Sequence, residues 1–168
     1  NMGPKIIYED ESILILDKPS GWIVNEAETT TDQPVVQSWL DKMDYPLAKS
    51  REYRSGIVHR LDKETSGILL VAKTLSAFEN LQGQFKKREV KKTYVALVHG
   101  KLVPKVGKIL LPMERSSRDF KKFAVSPGGR LSETHYQVLE HYPGLPQGIS
   151  PKKGKSYQGF SLVELEPK

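Results

Sequence analysis

The 168-residue chain has no cysteine. Disulfides, thiolate metal sites and a cysteine nucleophile are therefore excluded. Long apolar stretches are missing as well. The longest run, Ile68 to Ala72, falls far short of the roughly 20 residues needed to span a bilayer. The opening residues, NMGPKII, carry no targeting pattern, and Asn1 ahead of Met2 reads as a cloning remnant. The expectation is a soluble, cytoplasmic protein of one domain, long enough to bury a core without covalent staples. The four histidines, 59, 99, 135 and 141, are too scattered for a metal motif. No Gly-x-Ser-x-Gly elbow is present. GISPKKGKS (148–156) has five residues between its glycines, where a phosphate-binding loop needs four, and a proline-broken approach in place of a strand. It reads as a solvated basic loop. HRLD differs from the kinase HRD by the inserted Leu61, and no glycine-rich loop precedes it.

Acidic residues are scarce in one stretch and abundant in another. Residues 86–130 hold 13 basic and 3 acidic side chains, whereas residues 1–50 hold 4 basic and 9 acidic. A positive field confined to one region attracts polyanions and raises their encounter rate. A nucleic acid is the partner this distribution fits.

Short alternating runs dominate the pattern. Strands are expected at Lys5–Tyr8, Ser12–Leu16, Trp22–Val24, Lys91–Val98, Lys108–Leu111, Lys122–Val125, Ser132–Glu140 and Phe160–Glu166. Asp17 to Gly21 reads as a chain break, since it holds both Pro19 and Gly21. Gly67–Lys73, apolar on both faces, reads as a central strand. Helices are expected at Pro34–Met43 and at Leu75–Arg88, where Phe78, Leu81 and Phe85 share a face. Residues 44–56 and 143–156 read as loops. Many strands with two helices give an α+β class with a mixed, largely antiparallel sheet.

Residues 59–73, HRLDKETSGILLVAK, place a carboxylate at the mouth of an apolar strand. Asp62 could serve only as a turn residue bonded toward Thr65. Alternatively, Arg60 would hold Asp62 ionised while the strand fixes it in place, which suits a nucleophile or a base. A glycosidase-like pair would need a second carboxylate at a set distance; Glu64 is too close in sequence to judge, and no other candidate stands out.

This stretch resembles the signature of the RluA-type pseudouridine synthases, H-R-L-D-x-x-T-S-G followed by an apolar strand and Ala-Lys. His59, Arg60, Leu61, Asp62, Thr65, Ser66, Gly67, Ala72 and Lys73 all match. YEDESILILDKPSGWIV resembles the family's first hairpin with its Lys-Pro-x-Gly turn. VKKTYVALVHG resembles its Lys-x-Tyr strand, and GGRLSETHYQVLE a later strand with Thr-x-Tyr. The resemblance implies a largely antiparallel central sheet with an RNA-binding cleft. It implies isomerisation of uridine to pseudouridine in RNA, ribosomal or transfer, by a monomer that needs no cofactor and no membrane.

The same resemblance makes Asp62 the catalytic carboxylate, with attack on the anomeric carbon and proton removal from the neighbouring sugar carbon both open. Tyr94 matches the active-site tyrosine. His59, Arg60, Leu61 and Thr65 fall at the substrate, with His59 and Arg60 on the RNA backbone or in the gap left by the extracted base. Lys86, Lys87, Arg88, Lys91 and Lys92 fall on phosphates, which they would bind without reading sequence. A catalytic domain over residues 1–168 is expected, without an N-terminal accessory RNA-binding domain. It is also expected to lack the family's Gly-Arg-x-His-Gln-x-Arg segment, which would follow SLVELEPK and bring a second arginine to Asp62. The rival reading is a non-catalytic RNA-binding relative of the same fold.

Overall fold

The structure is a computed structural model that describes residues 3–119, 122–144 and 159–168. The chain divides into two compact units, Asn1–Val90 and Lys91–Lys168.

In the first unit, β1 (Lys5–Glu9), β2 (Ile13–Lys18) and β3 (Gly67–Ala72) form an antiparallel sheet in that order. The β1–β2 hairpin turns on Asp10, whose carboxylate accepts the N–H groups of Ser12 at 2.7 Å and Ile13 at 2.8 Å. These two bonds hold its pKa below the usual carboxylate value. Along β2 every second side chain turns inward, so Leu14, Leu16 and Lys18 are buried on one face. β3 differs from the expected central strand. It stands at the end of its sheet, and on its outer side Ile57 forms a single bridge to Val71. Leu69 and Val71 are buried, but Ile68 on the opposite face is exposed.

Helix α1 covers only Val36–Leu40, shorter than the expected Pro34–Met43. Its last turn tightens: Lys42 and Met43 donate to Trp39 and Leu40, three residues back. The expected strand at Trp22–Val24 is one parallel bridge, Ile23 to Val35. Within residues 44–56 a short 3-10 turn occupies Arg54–Gly56. Helix α2 (Leu75–Lys86) starts at Thr74, whose hydroxyl accepts the Ala77 N–H. Its apolar face follows the 3.6-residue period. Phe78 is buried with Leu47, Val58 and Ala72, and Leu81 and Phe85 pack against that cluster.

The second unit is a five-stranded antiparallel sheet of order β4-β8-β7-β5-β6. Its strands are β4 (Tyr94–His99), β5 (Val106–Arg115), β6 (Phe123–Val125), β7 (Arg130–Tyr142) and β8 (Phe160–Pro167). β5 and β7 extend beyond the expected Lys108–Leu111 and Ser132–Glu140 because they pair with each other over eight registered positions, Val106–Gln137 to Met113–Arg130. A bulge between Val138 and Glu140 leaves Leu139 without a partner on β8. Tyr136, Val138 and Val163 form the core, with Ala96, Val98, Leu102 and Leu165 against it. All strand pairs are antiparallel among the described residues. The stretch GISPKKGKS lies outside the described residues, apart from which no helix is long and apolar enough to cross a membrane.

Candidate active site

The approach to Asp62 is set by local backbone constraints. Arg54, Ser55 and Gly56 take φ values of 49°, 54° and 82° in succession. Only glycine fits the third position, because a Cβ there would stand 1.9 Å from the Ala72 carbonyl oxygen. Tyr45 holds the turn by donating its hydroxyl to the Ser55 carbonyl at 2.8 Å. Burial raises the pKa of that phenol, and the charge of Asp41 adds to the effect. From this turn the chain runs beside β3. Ile57 bridges Val71, and the Leu70 N–H donates to His59 Nε2 at 2.9 Å.

Leu61 is buried at 8% exposure and anchors the next step, leaving Arg60 and Asp62 on either side of it in solvent. The loop then closes on itself, as the Thr65 N–H donates to the Asp62 carbonyl at 3.1 Å. It is the Asp62 backbone that meets Thr65. Among the described residues the Asp62 carboxylate takes no hydrogen bond and forms no ion pair with Arg60. The carboxylate is therefore exposed on a loop whose backbone is tied down.

The tie comes from the Lys-Pro-x-Gly turn after β2. Gly21 N–H donates to the Lys63 carbonyl at 2.8 Å, and Ser20 Oγ donates to the Glu64 carbonyl at 2.9 Å. Lys63 in turn reaches Gln33 Oε1 at 3.0 Å. Lys18 is fully buried, and its ammonium donates to three carbonyls: Pro19 at 3.1 Å, Trp22 at 2.7 Å and Lys63 at 3.2 Å. An ammonium has three protons, so this set satisfies it. Burial lowers the Lys18 pKa, and the charges of Glu64 and Asp62 oppose that shift. Lys18 thus holds a buried ammonium against the backbone of the Asp62 loop, at the Lys63 carbonyl. In the sequence Lys18 is part of a chain break and of the Lys-Pro-x-Gly turn, with no role of its own. The signal that marks it is the two-residue period, which puts it on the same face as Leu14 and Leu16.

The other expected site residues fall into two groups. Lys86, Lys87 and Arg88 are exposed at the end of α2. The Phe85 ring stacks on His59 with centroids 4.7 Å apart, which brings this cationic helix end to the His59–Asp62 segment. Arg88 has a φ of 60°. Tyr94, Lys91 and Lys92 belong to the second unit. Tyr94 opens β4 opposite Leu165 and is half-buried on the face of Ala96 and Val98, while Lys91 and Lys92 are exposed. No group of three or more His, Asp or Glu side chains is placed to hold a metal among the described residues.

Residues 12–168 match the family model described as RNA pseudouridylate synthase. Among curated proteins, the chain is 39% identical over 142 residues to the ribosomal large subunit pseudouridine synthase D of Pseudomonas aeruginosa, covering 82% of this chain and 42% of that protein. It is 35% identical over 159 residues to the protein of the same name from Blochmanniella floridana, covering 94% and 49%. It is 38% identical over 142 residues to an RNA pseudouridine synthase of Aquifex aeolicus, covering 84% and 45%. The chain thus spans less than half the length of these relatives. Among solved structures, human RNA pseudouridylate synthase domain containing 1 superposes with a TM-score of 0.69 at 23% identity, covering 98% of this chain and 59% of that one. At that identity the likeness concerns the fold. The α+β, antiparallel architecture is the one expected, and a signature complete from His59 to Lys73 is set on it within a match that runs to residue 168. The chain belongs to the RNA pseudouridylate synthase family.

Proposed function

We propose that this chain is a catalytic domain that isomerises uridine to pseudouridine in RNA, with Asp62 as its catalytic carboxylate. The observation that carries the proposal is the exposed Asp62 side chain on a loop pinned to the Lys18–Gly21 turn. The N-glycosidic bond breaks, the uracil turns, and a carbon–carbon bond forms to the same sugar. Nothing is oxidised or reduced, and the C5 proton balances the one gained at nitrogen. Asp62 either attacks the anomeric carbon or removes a proton from the neighbouring sugar carbon. Both roles need an ionised carboxylate, and the buried Lys18 ammonium holds the loop that carries it.

Tyr94 is the group that stacks on the uracil and assists the transfer of the C5 proton. Arg60, exposed two residues before Asp62, fills the gap left by the flipped base or holds the backbone. Leu61 and Thr65 shape the loop at the substrate. Lys86, Lys87, Arg88, Lys91 and Lys92 bind phosphates. The names of the relatives point to large-subunit ribosomal RNA as the substrate, with transfer RNA as the alternative. The protein acts as a monomer in the cytoplasm, without a cofactor.

The test is pseudouridine mapping on unmodified large-subunit ribosomal RNA, comparing wild type with Asp62→Asn. Wild type should modify a small set of uridines. The variant should modify none while keeping RNA affinity within about threefold, because uniform binding is untouched. Substantial turnover by Asp62→Asn would refute the assignment.

A further inference from the structure

We propose that His59 is a positioning residue for Asp62, acting through β3 and α2 and not through the RNA. This rests on the function proposed above and assigns His59 a different part in it. β3 is at the end of its sheet, so its outer N–H groups need partners. Ile57 bridges at Val71, and one residue along, the Leu70 N–H is taken by His59 Nε2 at 2.9 Å. A ring nitrogen accepts such a bond only through its lone pair, so Nε2 is unprotonated and the neutral ring carries its proton on Nδ1. Nε2, committed to Leu70 as an acceptor, is not a donor to phosphate, which leaves Nδ1–H as the ring's single donor.

The second restraint is perpendicular to the first. The Phe85 ring lies over the imidazole at 4.7 Å with 18° between the planes. Phe85 in turn packs on the cluster of Leu47, Val58, Ala72 and Phe78. The bond to Leu70 sets the ring's direction within its plane, and Phe85 blocks movement out of it. Downstream of Asp62, the Lys63 carbonyl is held by Gly21 and Lys18. Asp62 therefore lies between two anchors, His59 before it and Lys63 after it. The upstream anchor is a side chain that ties the loop to a sheet edge.

Two substitutions separate the parts of this anchor. His59→Phe keeps a ring to stack on Phe85 and removes the acceptor. His59→Gln removes the ring and returns an acceptor, Oε1, near the place of Nε2. In the full chain, single-turnover pseudouridine formation, RNA affinity and hydrogen exchange at the Leu70 amide are measured together. The expected result for His59→Phe is a rate lowered about tenfold or more, RNA affinity changed by less than about threefold, and fast exchange at Leu70. His59→Gln should recover most of the rate and slow exchange at Leu70. Equal losses in both variants, matched by weaker RNA binding, would place His59 on the RNA and overturn the proposal. So would a wild-type rate in His59→Phe, or a fast-exchanging Leu70 amide in the wild type. If the wild type makes no pseudouridine, the functional reading fails instead. The exchange at Leu70 in wild type and His59→Phe then still supports or overturns the anchor, whether or not either chain turns over.

Discussion

Lys18 illustrates how a single residue can decide the geometry of a loop 45 positions away in sequence. A buried ammonium is tolerated only when its protons are all accepted, and here Pro19, Trp22 and Lys63 accept them. Lys18→Met would keep the aliphatic stem and leave three carbonyls without their donor. Unsatisfied buried acceptors cost about 1–3 kcal/mol, so the urea midpoint should fall by a matching amount. The Asp62 loop would lose one of its ties, so turnover should fall further than stability alone explains. Ser161 does similar work in the second unit. Fully buried, its hydroxyl donates to the Gly100 carbonyl at 2.8 Å, accepts the Leu102 N–H at 2.9 Å and meets His141 Nδ1 at 3.0 Å. With the hydroxyl proton spent on Gly100, His141 must supply the proton of that last bond.

At the scale of the element, α2 joins packing to recognition. Its apolar face buries Phe78, and Tyr53 meets that ring edge-on with centroids 5.4 Å apart. Seven residues on, Phe85 reaches His59. The helix then ends in a Schellman motif: the Glu89 N–H donates to the Gln84 carbonyl at 3.0 Å and the Arg88 N–H to Phe85 at 3.1 Å. The left-handed position of that motif usually holds glycine, yet here it holds Arg88 at a φ of 60°. An arginine there costs backbone strain, and the proposed phosphate contact is a reason to keep it. Arg88→Gly should therefore raise stability by about 0.5–1 kcal/mol. It should also weaken RNA binding, with the salt slope reduced by up to about 0.7–0.9. Chemical denaturation and a salt titration of RNA affinity read the two effects separately. Lower stability with unchanged affinity would mean the side chain serves the fold.

Over the whole molecule, charge is segregated along the chain, and the cationic stretch crosses from the first unit into the second between Arg88 and Lys91. Lys86, Lys87 and Lys91 are all exposed, so their contribution to the fold is small and their long-range field acts on the ligand. Changing the three together to glutamine should weaken binding to all RNA sequences alike. The slope of log affinity against log salt should shrink by up to about 0.7–0.9 for each phosphate no longer neutralised. Selectivity among uridines should stay unchanged, since phosphate contacts carry no base information. An unchanged slope would show that these lysines face away from the RNA.

Local information determined much of this protein. The two-residue and 3.6-residue periods located the strands and α2, because a side chain's face follows directly from backbone geometry. The uninterrupted run from His59 to Lys73 was legible because its residues are neighbours in the chain. Tertiary structure decided what depends on residues far apart. β3 became an end strand instead of a central one, since strand order is set by which segments pair. α1 was cut to five residues, its last turn tightened by bonds between residues three apart, a geometry the apolar period does not encode. Lys18 came to anchor the Asp62 loop because a lysine does so only when folding brings carbonyls from two loops to its ammonium. His59 likewise gained its place from a strand edge eleven residues on, where its ring nitrogen accepts the Leu70 N–H.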